Sequence, residues 1–186
     1  MKNALSNELR SVMRGIGATV TVIATADGDK RHCMVATAVM PMSLEPPTLL
    51  IAVNASASCH DPILRRGAFC VNVLGAEHLA LGCAIAQSAN RDRFDVGSWC
   101  YVHTSTQDTS LQEAVSGLPY LEAVQAALAC RVVRTVQHGT HTLFFGEVLW
   151  TAQSGHVEPL LYCDGSFGRF VVPHAKDGAC MSRTGT

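Results

Sequence analysis

Strand grammar in the first quarter of the chain limits the fold more than any other feature. Ala18 to Ala26 reads ATVTVIATA, apolar residues alternating with threonine and rich in β-branched side chains, which argues for a strand and against a helix. Asp27-Gly28-Asp29-Lys30 makes a tight turn, and His32 to Met40 resumes as a second strand, so the pair is expected to be an antiparallel hairpin. Glu45-Pro46-Pro47 breaks the chain before Thr48 to Val53 (TLLIAV), a nearly all-apolar run that implies burial on both faces. Further strands are expected at Ala68 to Leu74, at Ala129 to Val136, and at His141 to Ala152 beyond the turn His138-Gly139-Thr140. Two short ones follow, Leu160 to Tyr162 and Phe167 to Val172, around Asp164-Gly165.

Helices are fewer. Leu5, Leu9, Val12 and Met13 stand at helical spacing over Ser6 to Arg14, and Gly15 and Gly17 end that run. Asp61 to Gly67 reads as a short helix with an acidic cap, Pro62 in its first turn and Gly67 after its end, and Glu77 to Ala86 as another. Asn90 to Trp99 is polar and loop-like. About six or seven strands joined by short turns, with two or three short helices, make a mainly β antiparallel barrel or sandwich and not a doubly wound sheet.

At 186 residues the chain is most simply one domain, expected over residues 1–172, with a polar, Gly-rich tail (173–186) loosely attached. Apolar residues reach 48% and charged residues only 16%, a surplus of core material that suits a cofactor site or a subunit interface. Net charge is −1 and the basic residues are scattered, so the footprint of a nucleic-acid binder is missing. No run of about 18 apolar residues predicts a membrane span, and the polar start lacks a secretory signal's apolar core, so a cytoplasmic location is expected. Eight cysteines occur without one C-x-x-C pair, which argues against a zinc ribbon or redox dithiol and for buried free thiols.

Several chemistries are excluded by their missing motifs. There is no P-loop, no complete Rossmann glycine fingerprint, no G-x-S-x-G elbow and no H-E-x-x-H. His138-x-x-His141 is the only close histidine pair, and it lies across a predicted turn, so no metal site is expected. What remains is a polar cluster at strand ends: Thr37, Asn54, Ser56, Ser58 and His60. Asn54 to Pro62 follows a buried strand and leads into a helix, where backbone N–H groups and hydroxyls can hold a phosphate, and Ala55 and Ala57 allow close approach. Read alone, the same residues also fit a serine-rich loop with helix caps.

The run Val35 to Asn54 (VATAVMPMSLEPPTLLIAVN) resembles the core of the flavin reductase family, the short-chain reductase components of two-component flavin monooxygenases. Further similar segments follow in order: Phe69-Cys70-Val71-Asn72-Val73-Leu74, Asp92-Arg93-Phe94, Gly139-Thr140-His141, and Leu160 to Gly168. No one of them is specific; their order and spacing over residues 5–171 make the resemblance. It implies an FMN-binding split β-barrel, a homodimer, FMN or FAD as flavin, and NADH or NADPH as hydride donor. It places Val35, Ala36 and Thr37 along the isoalloxazine, Asn54 by the ribityl or phosphate region, Ser56 and Ser58 at the phosphate, and Arg93 as its counter-charge. Met34, Ala38, Ala57, His60 and Phe94 complete the expected cofactor-binding set. His141 is expected beside the nicotinamide, and Phe167 and Gly168 over the dinucleotide. Ala55 stands where the family often has a basic residue, which shifts phosphate neutralisation onto Arg93 and the helix start, and Cys163 stands where the family often has His or Phe, a departure at the lid contact. The implied activity is hydride transfer from nicotinamide to flavin, with reduced flavin passed to a monooxygenase. The alternatives are a split barrel that keeps its flavin and reduces another acceptor, or a non-enzymatic flavin- or haem-binding protein.

Overall fold

The computed structural model describes residues 2–103 and 113–171; the expected tail lies outside the described residues. Among the described residues twelve strands and three α-helices follow one another. The strands are β1 (Ala18–Thr19), β2 (Thr21–Asp27), β3 (Lys30–Ala36), β4 (Val39–Leu44), β5 (Pro47–Asn54) and β6 (Ala68–Val73), then β7 (Trp99–Tyr101), β8 (Pro119–Leu121), β9 (Ala126–His138), β10 (His141–Gln153), β11 (Leu160–Cys163) and β12 (Ser166–Arg169). The helices are α1 (Lys2–Arg14), α2 (His60–Arg66) and α3 (Leu79–Gln87). The three-residue strands β7 and β8 exceed the sequence expectation, because so short a piece carries too little alternation to read, and the expected strand Ala18 to Ala26 is split into β1 and β2.

Seven strands form one antiparallel sheet in the order β3-β2-β6-β9-β10-β5-β4. Its two edges, β3 and β4, are joined by only Thr37 and Ala38. So short a link spans roughly 10 Å at most, so the sheet has to roll until its edges approach each other. Ala52 donates its backbone N–H to the Ala38 carbonyl at 3.0 Å where the crossing is made. This is the antiparallel split barrel. It also corrects one expectation, since His32 to Met40 is two strands on opposite edges and not one.

Inward side chains fill the barrel. Ile23 of β2, Ile51 and Val53 of β5, Phe69 and Val71 of β6, and Phe144 of β10 meet in one buried cluster with Ile63 of α2. Gly146 of β10 makes room for this: a Cβ there would lie 2.5 Å from the Phe69 ring and 2.8 Å from Cys130 Cβ. Alternate residues point out of the barrel into a second cluster, where Val22, Ala24 and Cys70 pack with Ile85 of α3, Leu118 and Leu121. Burial on both faces therefore belongs to β2 and β6. It does not extend to Thr48–Val53, where only Leu49, Ile51 and Val53 are buried and Leu50 and Ala52 are half covered. β5 lies next to the edge strand β4, and the outer cluster does not reach that far round the sheet.

α2 ends at Gly67, whose φ of 68° is left-handed, as its sequence position implies. The expected acidic cap is absent: Cys59 holds the N-cap position without a side-chain hydrogen bond, and Asp61 pairs with His60 instead. No helix among the described residues is long and apolar enough to cross a membrane.

Asn72 of β6 ties β2 to β8. Fully buried, it donates from Nδ2 to the Val22 carbonyl at 2.9 Å and accepts the Leu121 N–H on Oδ1 at 2.7 Å. Asn72→Ala strands both partners without solvent, so a loss of roughly 2–4 kcal/mol of stability is expected. Urea denaturation followed by circular dichroism measures it, and a loss under 1 kcal/mol would show the network to be dispensable.

Candidate functional site

The Thr37–Ala38 crossing leaves both residues exposed at the barrel rim. Val35, Ala36 and Thr37 line a pocket of ≈ 220 Å³ with Val20, Tyr162 and Phe167. The aromatic pair comes from the β11–β12 hairpin, which β1 holds beside the barrel through the Ala18–Tyr162 pairing. Tyr162 and Phe167 meet edge to face, 5.2 Å between centroids. One wall is thus backbone and small side chains, and the other is aromatic, which suits a flat ring.

Val35 also borders a second pocket of ≈ 260 Å³, lined by Met34, Ala57, Ser58, Ala86 and Arg93. Arg93 is fixed there by protein acceptors: Nη1 donates to the Cys33 carbonyl at 2.6 Å and Nε to the Ser88 carbonyl at 3.1 Å. Its Nη1 also reaches Ser58 Oγ at 3.5 Å. The loop bearing Ser58 is shaped by Asn54, whose Oδ1 accepts both the N–H and the hydroxyl of Ser56 at 2.9 Å each. A fixed guanidinium, a hydroxyl and small residues around open space fit a phosphate monoester. Together the two pockets fit a flavin, ring in the first and phosphate in the second.

A groove of ≈ 610 Å³ adjoins the ring pocket and shares Thr37 and Tyr162 with it. Thr140 and His141 stand on one side of this groove and α1 on the other. His141 pairs with Asn54 across β10 and β5, and its Nδ1 lies 2.9 Å from Thr140 Oγ1. The sequence-expected residues Thr37 and His141 are therefore brought to one opening, with the expected Arg93, Met34, Ala57 and Ser58 one pocket away.

Other expected residues lie elsewhere. His60 is buried in the barrel end, with Nδ1 2.7 Å from Asp61 Oδ1, Nε2 2.9 Å from Thr142 Oγ1, and its ring against Phe144. Both nitrogens are occupied by protein, so His60 is a tie between α2 and β10. Phe94 is core: it packs on Trp99 with centroids 4.4 Å apart, and Arg31 lies over its face. Ala38 contributes its carbonyl to the barrel seam, and Gly168 borders a smaller pocket with Phe167, Leu79 and Arg169. Tyr162 and the α1 residues Arg10, Met13 and Arg14 were not expected at the site. Tyr162 could have been found from its place before the Asp164-Gly165 turn, but the α1 residues look in sequence like any amphipathic helix. Among the described residues no cluster of three or more metal-ligating side chains occurs.

This geometry meets an independent result. The flavin reductase like domain matches residues 13–170, so the chain belongs to that family. Among curated proteins, the reductase component of an FADH(2)-dependent resorcinol hydroxylase from Rhizobium sp. is 39% identical over 85% of this chain and 83% of its own length. A protein named FMN reductase (NADH) RutF from Ancylobacter novellus is 36% identical, over 86% of this chain and 82% of its own. Among solved structures, the NADH:FAD oxidoreductase SgcE6 of Streptomyces globisporus superposes with a TM-score of 0.77 at 29% identity, covering 94% of this chain and 92% of that one.

Beneath Arg93 lie two buried thiols. Burial pushes the Cys33 thiol up to about 12 despite nearby Arg93 and Arg31, and burial with Cys33 as neighbour pushes Cys59 up to about 12. The folded chain thus favours the neutral thiols. That contribution is intact below the unfolded value near 9 and is lost as pH rises towards 12. The urea midpoint is expected to fall between pH 9 and 11, and to fall less steeply in the Cys33→Ala variant. Equal slopes in both proteins would refute the assignment.

Proposed function

We propose that this protein is an NADH-dependent flavin reductase that transfers a hydride to FMN or FAD and releases the reduced flavin to a monooxygenase component. The observation that carries the reading is the sharing of Thr37 and Tyr162 by the ring pocket and the His141 groove, because hydride transfer requires two rings in contact. NADH is favoured as donor by the name of the RutF relatives, and delivery to an oxygenase by the name of the resorcinol hydroxylase component.

Flavin, when bound, supplies a ring that accepts the hydride. The chain's own part is placement. Arg93 and Ser58 anchor the phosphate, Val35 to Thr37 support one side of the ring, and Tyr162 and Phe167 limit its travel. Thr37 offers a hydroxyl at the ring's edge, where negative charge grows during reduction. His141 borders the space for the nicotinamide. No general acid or base is required at the reacting carbon, which is consistent with a site built from small, aromatic and hydroxyl residues.

The protein is further read as a homodimer. Leu5 and Val12 of α1 are 69% and 71% exposed and lie outside the groove, and Met40, Met42 and Leu44 are exposed on the edge strand β4. So much apolar surface, with an unpaired strand edge, suits a second copy. Sedimentation equilibrium is expected to give twice the chain mass; a monomer at micromolar concentration would refute the dimer.

Absorbance at 340 nm tests the activity: NADH is expected to be consumed only when FMN or FAD is added, and no loss with either flavin would refute the reading. His141→Ala is expected to raise the KM for NADH about tenfold while flavin affinity, read by fluorescence quenching, moves less than twofold. Collapse of flavin binding in that variant would remove His141 from the nicotinamide side.

A further inference from the structure

The groove under α1 contains two cations that ring placement does not use. Arg10 and Arg14 stand one helical turn apart on α1 and both line it, with Ser6, Thr37, Thr140, His141 and Tyr162 as its other polar residues. Among the described residues no Asp or Glu lines the groove. The two arginines differ in what holds them. Arg14 Nε pairs with Asp164 Oδ1 at 3.0 Å, and the Asp164 N–H donates to the Arg14 carbonyl at 2.6 Å, which fastens the end of α1 to the hairpin bearing Tyr162 and Phe167. Arg10 donates to Asn7 Oδ1 at 3.3 Å and has no carboxylate partner among the described residues.

We propose that Arg10 receives the diphosphate of a dinucleotide whose redox ring lies against Thr37, His141 and Tyr162. The inference rests on the reductase reading and deepens it, adding a substrate-binding residue on α1. Its support is complementarity: an acid-free groove of ≈ 610 Å³ runs from the ring pocket to an uncompensated guanidinium. Arg14 serves as the positioning residue that holds α1 at the right height over the groove. The diphosphate has two sources of the same chemistry, the nicotinamide dinucleotide and the adenylate arm of FAD.

Steady-state kinetics of Arg10→Ala and Arg10→Lys in the full chain separate these. FMN is the acceptor, so that only the donor carries a diphosphate, and the donors are NADH and 1-benzyl-1,4-dihydronicotinamide, which has the ring without phosphate. For Arg10→Ala the KM for NADH is expected to rise about tenfold, with kcat changed far less. The loss in kcat/KM is expected to be at least fivefold smaller with the benzyl donor, and Arg10→Lys to recover most of it. A parallel titration in which the alanine variant weakens FAD binding at least fivefold and FMN binding less than twofold would assign the diphosphate to FAD instead, which also supports an Arg10 diphosphate site. Equal losses with both donors would overturn the proposal, as would an unchanged KM for NADH together with unchanged FAD affinity. Wild-type protein inactive with both flavins would overturn the reductase reading itself, whereas active wild type with an indifferent Arg10 variant overturns only this inference.

Discussion

Two residues, Thr37 and Ala38, carry the constraint on which the rest of this molecule depends. They join opposite edges of a seven-stranded sheet, and their short reach obliges the sheet to curl into a barrel. The same crossing leaves backbone and small side chains facing out at the rim, with no ladder to complete. A flat ligand needs such a surface. The seam of the barrel and the support of the ring pocket are therefore one piece of chain, and a change that altered the seam would alter the pocket.

The barrel interior is packed with protein side chains. Phe69, Phe144, Ile23 and Ile51 are fully buried there, and Gly146 gives up its own side chain so that Phe69 can enter. The ring pocket forms outside that core, between the rim and the β11–β12 hairpin. The base of the hairpin is anchored: Leu160 is buried in the outer cluster, donates its N–H to the Leu74 carbonyl at 2.9 Å and accepts the Val20 N–H at 2.8 Å. Its far end is held less, since β12 is exposed along its length and the Arg14–Asp164 pair lies in solvent, where ion pairs contribute little to stability. A wall firm at its base and exposed at its tip thus faces the rim.

Much of this was legible in the sequence, and the exceptions have physical causes. The hairpin from Thr21 to Ala36, the long β9 and β10, and the mainly β architecture follow from alternation and turn residues. The break at Thr37 does not, because the apolar pattern continues through it while the chain changes edges, and only sheet closure makes the crossing necessary. His60 misled for a related reason: a histidine after a serine-rich loop looks like a ligand, but the barrel end offers Thr142, Asp61 and Phe144 as partners for both nitrogens and the ring. Phe94 packs on Trp99, a near neighbour in sequence, and under Arg31 of β3, which only the fold brings to it. Tyr162 and Arg10 reach the site only through the pairing of β11 with β1 and the position of α1, which no local pattern records.

The contrast between the site's arginines shows how the chain assigns charge. Arg14 is matched by a carboxylate and so works as a fastener. Arg93 is held by the carbonyls of Cys33 and Ser88, dipoles that orient a guanidinium without cancelling its charge. An arginine fixed in this way keeps its positive field for an incoming phosphate and loses little conformational freedom when the phosphate arrives. The thiols of Cys33 and Cys59 near it are buried among apolar neighbours, and burial favours their neutral forms.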